Sequence, residues 1–119
     1  MRHAVIILSL AFFLPGLAFA RTPERAYQEE WCAKEGGVVE YTLPDKARVD
    51  CLTDEYAVEV DFASKWAEAV GQSLYYAERT GKRPGVLLIL ENEGGSRHLE
   101  RLALLAKKFG IRVWTTGPR

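Results

Sequence analysis

The sequence predicts one domain of the α/β class, an α+β arrangement with a mixed sheet, helices on both sides and the order helix, three strands, helix, strand, helix, strand. Three observations carry this. YAVEVDF, residues 56–62, alternates in polarity and follows ARVDCL at hairpin distance, so the two read as paired strands. PGVLLILE, residues 84–91, is a nearly continuous apolar run, which suits a strand covered on both faces and therefore central. SRHLERLALLAKKFG, residues 96–110, repeats Leu99, Leu102, Leu105, Ala106 and Phe109 at helical spacing. IRVWTT follows it, and a strand-helix-strand unit of that length predicts parallel strands with a right-handed crossover.

The first twenty residues stand apart from this pattern. MRHAVIILSLAFFLPGLAFA has a basic start at Arg2, an apolar run from Ala4 to Leu14, a Pro15-Gly16 break and Ala18-Phe19-Ala20 before Arg21. This is the pattern of a secretory signal peptide. The apolar run falls short of the roughly 20 residues that span a bilayer, and Pro15 interrupts it. Residues 21–119 are therefore expected as one exported domain, periplasmic or secreted, without a stable membrane span; an uncleaved anchor is the minor alternative.

The whole chain carries 16 basic and 16 acidic residues, and Arg2 is the only charged residue of the leader. Near-neutrality gives no support for strong nonspecific nucleic-acid binding and leaves open a local basic patch. Export would place Cys32 and Cys51 where disulfides persist, so one intrachain bridge is expected. Closing a loop of about 20 residues contributes on the order of 3 kcal/mol in the chain-entropy description. Two buried free thiols are the alternative, and a metal site is disfavoured because no histidine lies near.

In order, Thr22 is expected as N-cap with Pro23 at the first position of a helix through PERAYQEEWCAKE, stopped by Gly36-Gly37. Glu29 and Glu30 read as solvated surface. GVVEYTL is a short strand, and Pro44-Asp45-Lys46 turns into the strand that carries Asp50. Thr53, Asp54 and Glu55 form the next turn, giving an antiparallel meander of three strands. Ser64 is the expected N-cap of a second helix that ends near Thr80-Gly81, with Lys82 and Arg83 at its C-terminal end and Pro84 barring continuation. Gly94-Gly95 precedes the third helix but lacks the spacing and lysine of a phosphate-binding loop, so it reads as an ordinary loop. His98, the only histidine after the leader, has no second histidine or nucleophile pattern and reads as surface.

One stretch concentrates polar groups where strands and helix meet. Alternation puts Glu59 and Asp61 on one face of their strand and Val58, Val60 and Phe62 on the other, and places Asp50 beside Glu59 across the hairpin. Like charges so placed destabilise a sheet unless something compensates. Lys65, Glu68, Gln72 and Tyr76 recur at spacings of three or four on the following helix and form a polar stripe, flanked by Trp66, Ala69, Val70, Ser73 and Ala77. Oxygen ligands from Asp50, Glu59 and Asp61 suit Mg2+ or Mn2+, whose charge would offset their repulsion.

These residues and the order of elements, across most of residues 24–116, resemble a minimal domain of the PD-(D/E)XK nuclease superfamily, with its restriction-endonuclease-like core. The resemblance implies metal binding by Asp50 and Glu59. Gln72 followed four residues later by Tyr76 is similar to the RecB-type branch. Asp61 stands where the family pattern carries a lysine, and Lys65, four residues on, is the expected substitute. Glu29 or Glu30 would match the first-helix acid of some members. The implied activity is divalent-metal-dependent phosphodiester hydrolysis of nucleic acid, with Asp50, Glu59 and Lys65 in catalytic roles and Gln72 and Tyr76 positioning. The alternative is a catalytically inactive member acting as a binding or interaction module for a protein partner. A third reading treats the same side chains as a polar network that specifies packing of helix on sheet.

Overall fold

The computed structural model describes residues 2–11, 21–91 and 94–118. Residues 2–11 form no regular secondary structure, and the Pro15-Gly16 break and Ala18-Phe19-Ala20 lie outside the described residues, as does part of the 92–96 loop. Among the described residues no helix is long and apolar enough to cross a membrane.

Helix α1 spans Glu24–Lys34, and strands β1 (Val38–Thr42), β2 (Arg48–Leu52) and β3 (Tyr56–Phe62) follow. A single 3-10 turn, Ala63–Lys65, leads into α2 (Trp66–Thr80); β4 (Arg83–Ile89), α3 (Gly95–Phe109) and β5 (Arg112–Thr116) complete the chain. The five strands form one mixed sheet in sequence order. β1, β2 and β3 pair antiparallel, whereas β3-β4 and β4-β5 are parallel. The apolar run of β4 lies inside the sheet, between β3 and the edge strand β5, while the central place falls to β3.

Two cores lie on opposite faces. On one, Tyr27 and Cys32 of α1 pack with Cys51, Val58, Val60, Leu87 and Ile89. On the other, Ala69 of α2 and Leu102 and Ala106 of α3 pack with Val86 and Leu88. A smaller cluster joins Leu43, Val49 and Ala57 to Tyr76. The helix ends follow local chemistry: α2 and α3 both stop at glycines in the left-handed region, Gly81 and Gly110, where a side chain would be strained.

Cys32 and Cys51 form the disulfide, which ties α1 to β2. Both residues are fully buried. A β-carbon on Gly37 would stand 2.6 Å from one sulfur and 2.8 Å from the other, so the sulfurs fill the space that glycine leaves.

Several boundaries differ from the sequence reading. Pro23 itself is the N-cap of α1, one residue past Thr22, and Lys65 rather than Ser64 is the N-cap of α2; neither makes a side-chain cap bond. The intervening 3-10 turn displaces Ser64 from the cap. Phe109, expected in the core, is 49% exposed; α3 buries Leu102 and Ala106 instead.

Candidate functional site

The two edges of β3 are unlike. Toward β4, seven residue pairs run unbroken from Tyr56↔Arg83 to Phe62↔Ile89. Toward β2 there are only two, Cys51↔Val58 and Leu52↔Ala57. Asp50 therefore does not sit opposite Glu59 in a continued ladder, as alternation alone had implied. Its side chain turns into the gap, and Oδ2 accepts the Val60 N–H at 2.7 Å, replacing the backbone bond that β2 no longer makes.

The change of course at Asp50 is visible in the packing. Val49 belongs to the cluster around Tyr76, while Cys51, two residues on, belongs to the cluster around Tyr27 and Cys32. Strict alternation would put both on one face. On β1, Glu40 lies at the matching level, between the Val39↔Cys51 and Tyr41↔Val49 pairs, and adopts φ 54°, a left-handed conformation that a residue with a β-carbon takes at a cost. The hairpin thus twists at one level, and the twist opens the gap.

Gln28 holds this geometry from α1. The residue is only 4% exposed, and its Nε2 donates to the Asp50 carbonyl at 2.8 Å and to Glu40 Oε1 at 3.2 Å. A buried amide committed to two acceptors is costly to remove.

Four carboxyls line the gap. Glu59 and Asp61 are each 5% exposed. Glu59 is within side-chain hydrogen-bonding reach of both Asp50 and Asp61, and Asp61 reaches Glu24, the first residue of α1. With every carboxyl ionised, Glu59 Oε2 and Asp61 Oδ2 have no donor among the described residues. Proton sharing resolves that: carboxyl-carboxyl contacts become hydrogen bonds once one member is protonated. Burial pushes the Asp50 carboxyl up to about 6 against the opposing effect of the Val60 N–H, and burial together with Glu24 pushes Asp61 up to about 7. Glu59 is raised furthest, first by burial and then by the charges of Asp50 and Asp61 on either side. Glu59 is thus the member that keeps a proton longest.

The structure brings Asp50, Glu59, Asp61 and Tyr76 together. Tyr76 is buried, and its hydroxyl is pushed up by burial and then by the charges of Glu59, Asp50 and Asp61. Lys65 and Gln72 are exposed, and neither makes an ion pair or a hydrogen bond with a described residue. The expected stripe Lys65-Glu68-Gln72-Tyr76 is therefore split: α2 buries Ala69, Ser73 and Tyr76 and turns the other three outward. Glu29 and Glu30 are surface residues paired with Arg25 and Lys34 at i,i+4, so the first-helix acid beside the cluster is Glu24. Glu24, Gln28 and Cys32 share one face of α1 at spacings of four. A buried Cys32 implies that the two polar residues preceding it on that face also point at the sheet.

Among the described residues, no three His, Cys, Asp or Glu side chains form a ready-made metal-ligand group. The donor set is nonetheless all oxygen, two of its buried oxygens lack donors, and its negative charge is uncompensated at high pH. That chemistry fits a hard divalent cation. Comparison with protein-family models, with curated proteins and with solved structures returns no match for this chain.

Proposed function

We propose that the chain is a metal-dependent nuclease of the PD-(D/E)XK type, with Asp50 and Glu59 as the residues that hold Mg2+ or Mn2+. The observation that carries this reading is the opened β2-β3 edge, with Asp50 and Glu59 converging in the gap and Asp61, Glu24 and Tyr76 around them. Mg2+ commonly uses one or two protein carboxylates and completes its shell with water and phosphate oxygens, so two carboxylates suffice. When bound, such a cation supplies charge stabilisation at the phosphate and acidifies a water.

The side chains supply the rest. Asp61, where the family carries lysine, is a buried carboxyl raised toward neutrality and can take a proton from an attacking water. Tyr76 keeps its proton and offers a donor beside the acids. Lys65, on the exposed turn after β3, brings positive charge to the approach of a phosphodiester, and Gln72 adds an exposed amide one turn before Tyr76.

A second reading is favoured by one observation: the cluster has an acid at position 61 and its nearest expected cation, Lys65, faces solvent. A catalytically silent domain of the same type would bind a partner through this surface. The two separate on one experiment. Mn2+ is titrated into the oxidised protein, and mixed single- and double-stranded DNA and RNA are then assayed beside Glu59→Ala. The nuclease reading predicts Mn2+ binding and cleavage, both lost in the variant. Folded protein that neither binds Mn2+ nor cleaves would overturn it in favour of the silent domain.

A further inference from the structure

We propose that α1 is a clamp whose attachment through the Cys32–Cys51 disulfide and Gln28 sets the carboxylate site, so that the site assembles only in the oxidised chain. The inference concerns regulation of the site described above and rests on its being a cation site.

Two tethers join α1 to the opened gap, and they lie on the same face of the helix as Glu24. Glu24 reaches Asp61, Gln28 donates to the Asp50 carbonyl and to Glu40, and Cys32 is bonded to Cys51. Cys51 is the immediate neighbour of Asp50, and it is also the last residue of β2 before the ladder with β3 is lost. The covalent tether thus sits at the hinge of the gap, and the amide tether one turn away holds the residue that bends into it.

Reduction would disturb this arrangement for a packing reason. Two thiols need nonbonded separation where one bond now stands, and both residues are fully buried with Gly37 already close against the sulfurs. The room has to come from moving α1 off β2. Gln28 moves with the helix, and the Asp50 carbonyl and Glu40 lose their buried donor. Glu40 keeps its contacts with the exposed Arg25 and Arg48, and Asp50 its bond from Val60, but the buried amide that ties the two residues together is gone.

Closure is a dithiol-disulfide exchange: the two cysteine thiols give up two protons and two electrons to a small or protein disulfide, which leaves as two thiols. Because both sulfurs lie out of solvent, exchange requires the helix to be loose, and the state is fixed as the chain assembles. A hydrolase so built stays silent in a reducing compartment and becomes competent in an oxidising one.

The test compares Mn2+ affinity of the oxidised protein, the dithiothreitol-reduced protein and Cys32→Ala/Cys51→Ala, with circular dichroism reporting the fold. Gln28→Leu and Gln28→Glu in the oxidised chain form the second arm, since they loosen the clamp without touching the disulfide. Loss of a supporting residue next to a metal ligand weakens affinity by about 10- to 100-fold. The expected result is that loss in folded reduced protein and in oxidised Gln28→Leu, with the midpoint of the pH dependence of binding moved in Gln28→Leu. Equal affinity in oxidised wild type, folded reduced protein and Gln28→Leu overturns the proposal. If reduction unfolds the chain, Gln28→Leu decides: unchanged affinity and pH midpoint overturn it. Absence of Mn2+ binding by the oxidised wild type instead overturns the cation-site reading on which it rests.

Discussion

The two edges of β3 face the same problem with opposite outcomes. On the β4 side, every residue from Tyr56 to Phe62 has a partner, and the neighbouring side chains Val86, Leu87, Leu88 and Ile89 are buried and apolar. On the β2 side the ladder stops after two pairs, and four carboxyls occupy the space. One edge maximises backbone bonding and apolar burial, and the other gives up both to bring charged groups together. Natural sheets forgo such stabilisation where a site requires it, and the strained Glu40 at the same level fits that pattern.

The contrast can be broken most severely from the regular side. Leu87→Ala removes a fully buried side chain from an interior strand and is expected to cost about 2–5 kcal/mol in denaturant unfolding. A loss below about 1 kcal/mol would mean that the β4 side is not where stability resides.

From the acidic side the sign reverses. Glu59→Gln keeps the shape and a hydrogen-bonding group while removing the need to protonate a buried carboxyl on folding, so the metal-free variant is expected to be more stable at pH 8, by several kcal/mol at most. It should be nearly neutral at pH 5, where wild-type Glu59 is already protonated. A loss of stability at pH 8 comparable to that of Leu87→Ala would show that the carboxylate at 59 is structural.

The same contrast explains what could be read from the sequence. Regular elements announce themselves: the continuous apolar run of β4, the alternation of β3 and the leucine spacing of α3 each encode burial directly, and all three were legible. Tyr76 and the three acids on β2 and β3 were legible as neighbours because alternation and helical spacing place them on facing surfaces. The gap was not, since alternation assumes an unbroken ladder, and the twist at Glu40 and Asp50 arises from tertiary tethers with no local signature. Gln28 and Glu24 were hidden among the charged residues of α1, although their spacing from Cys32 carried the signal. Phe109 was misplaced because helical periodicity gives the face of a helix and not which positions along it are covered.

The measurement that tests the central claim most directly is the thermal midpoint of the oxidised protein at pH 5 and pH 8, each with and without Mn2+. Asp50, Glu59 and Asp61 all bind protons more tightly in the folded chain than in the unfolded one, whose carboxyls titrate near pH 4. Their contribution is therefore fully present below about pH 4 and is lost as pH rises through about 6 for Asp50 and about 7 for Asp61. Without metal the midpoint should fall from pH 5 to pH 8. Mn2+ competes with those protons, so at 100 times its dissociation constant it should restore about 2.7 kcal/mol at pH 8 and little at pH 5. A midpoint that does not fall with pH, or that Mn2+ leaves unmoved at pH 8, would contradict the claim that the opened edge of β3 is a cation site.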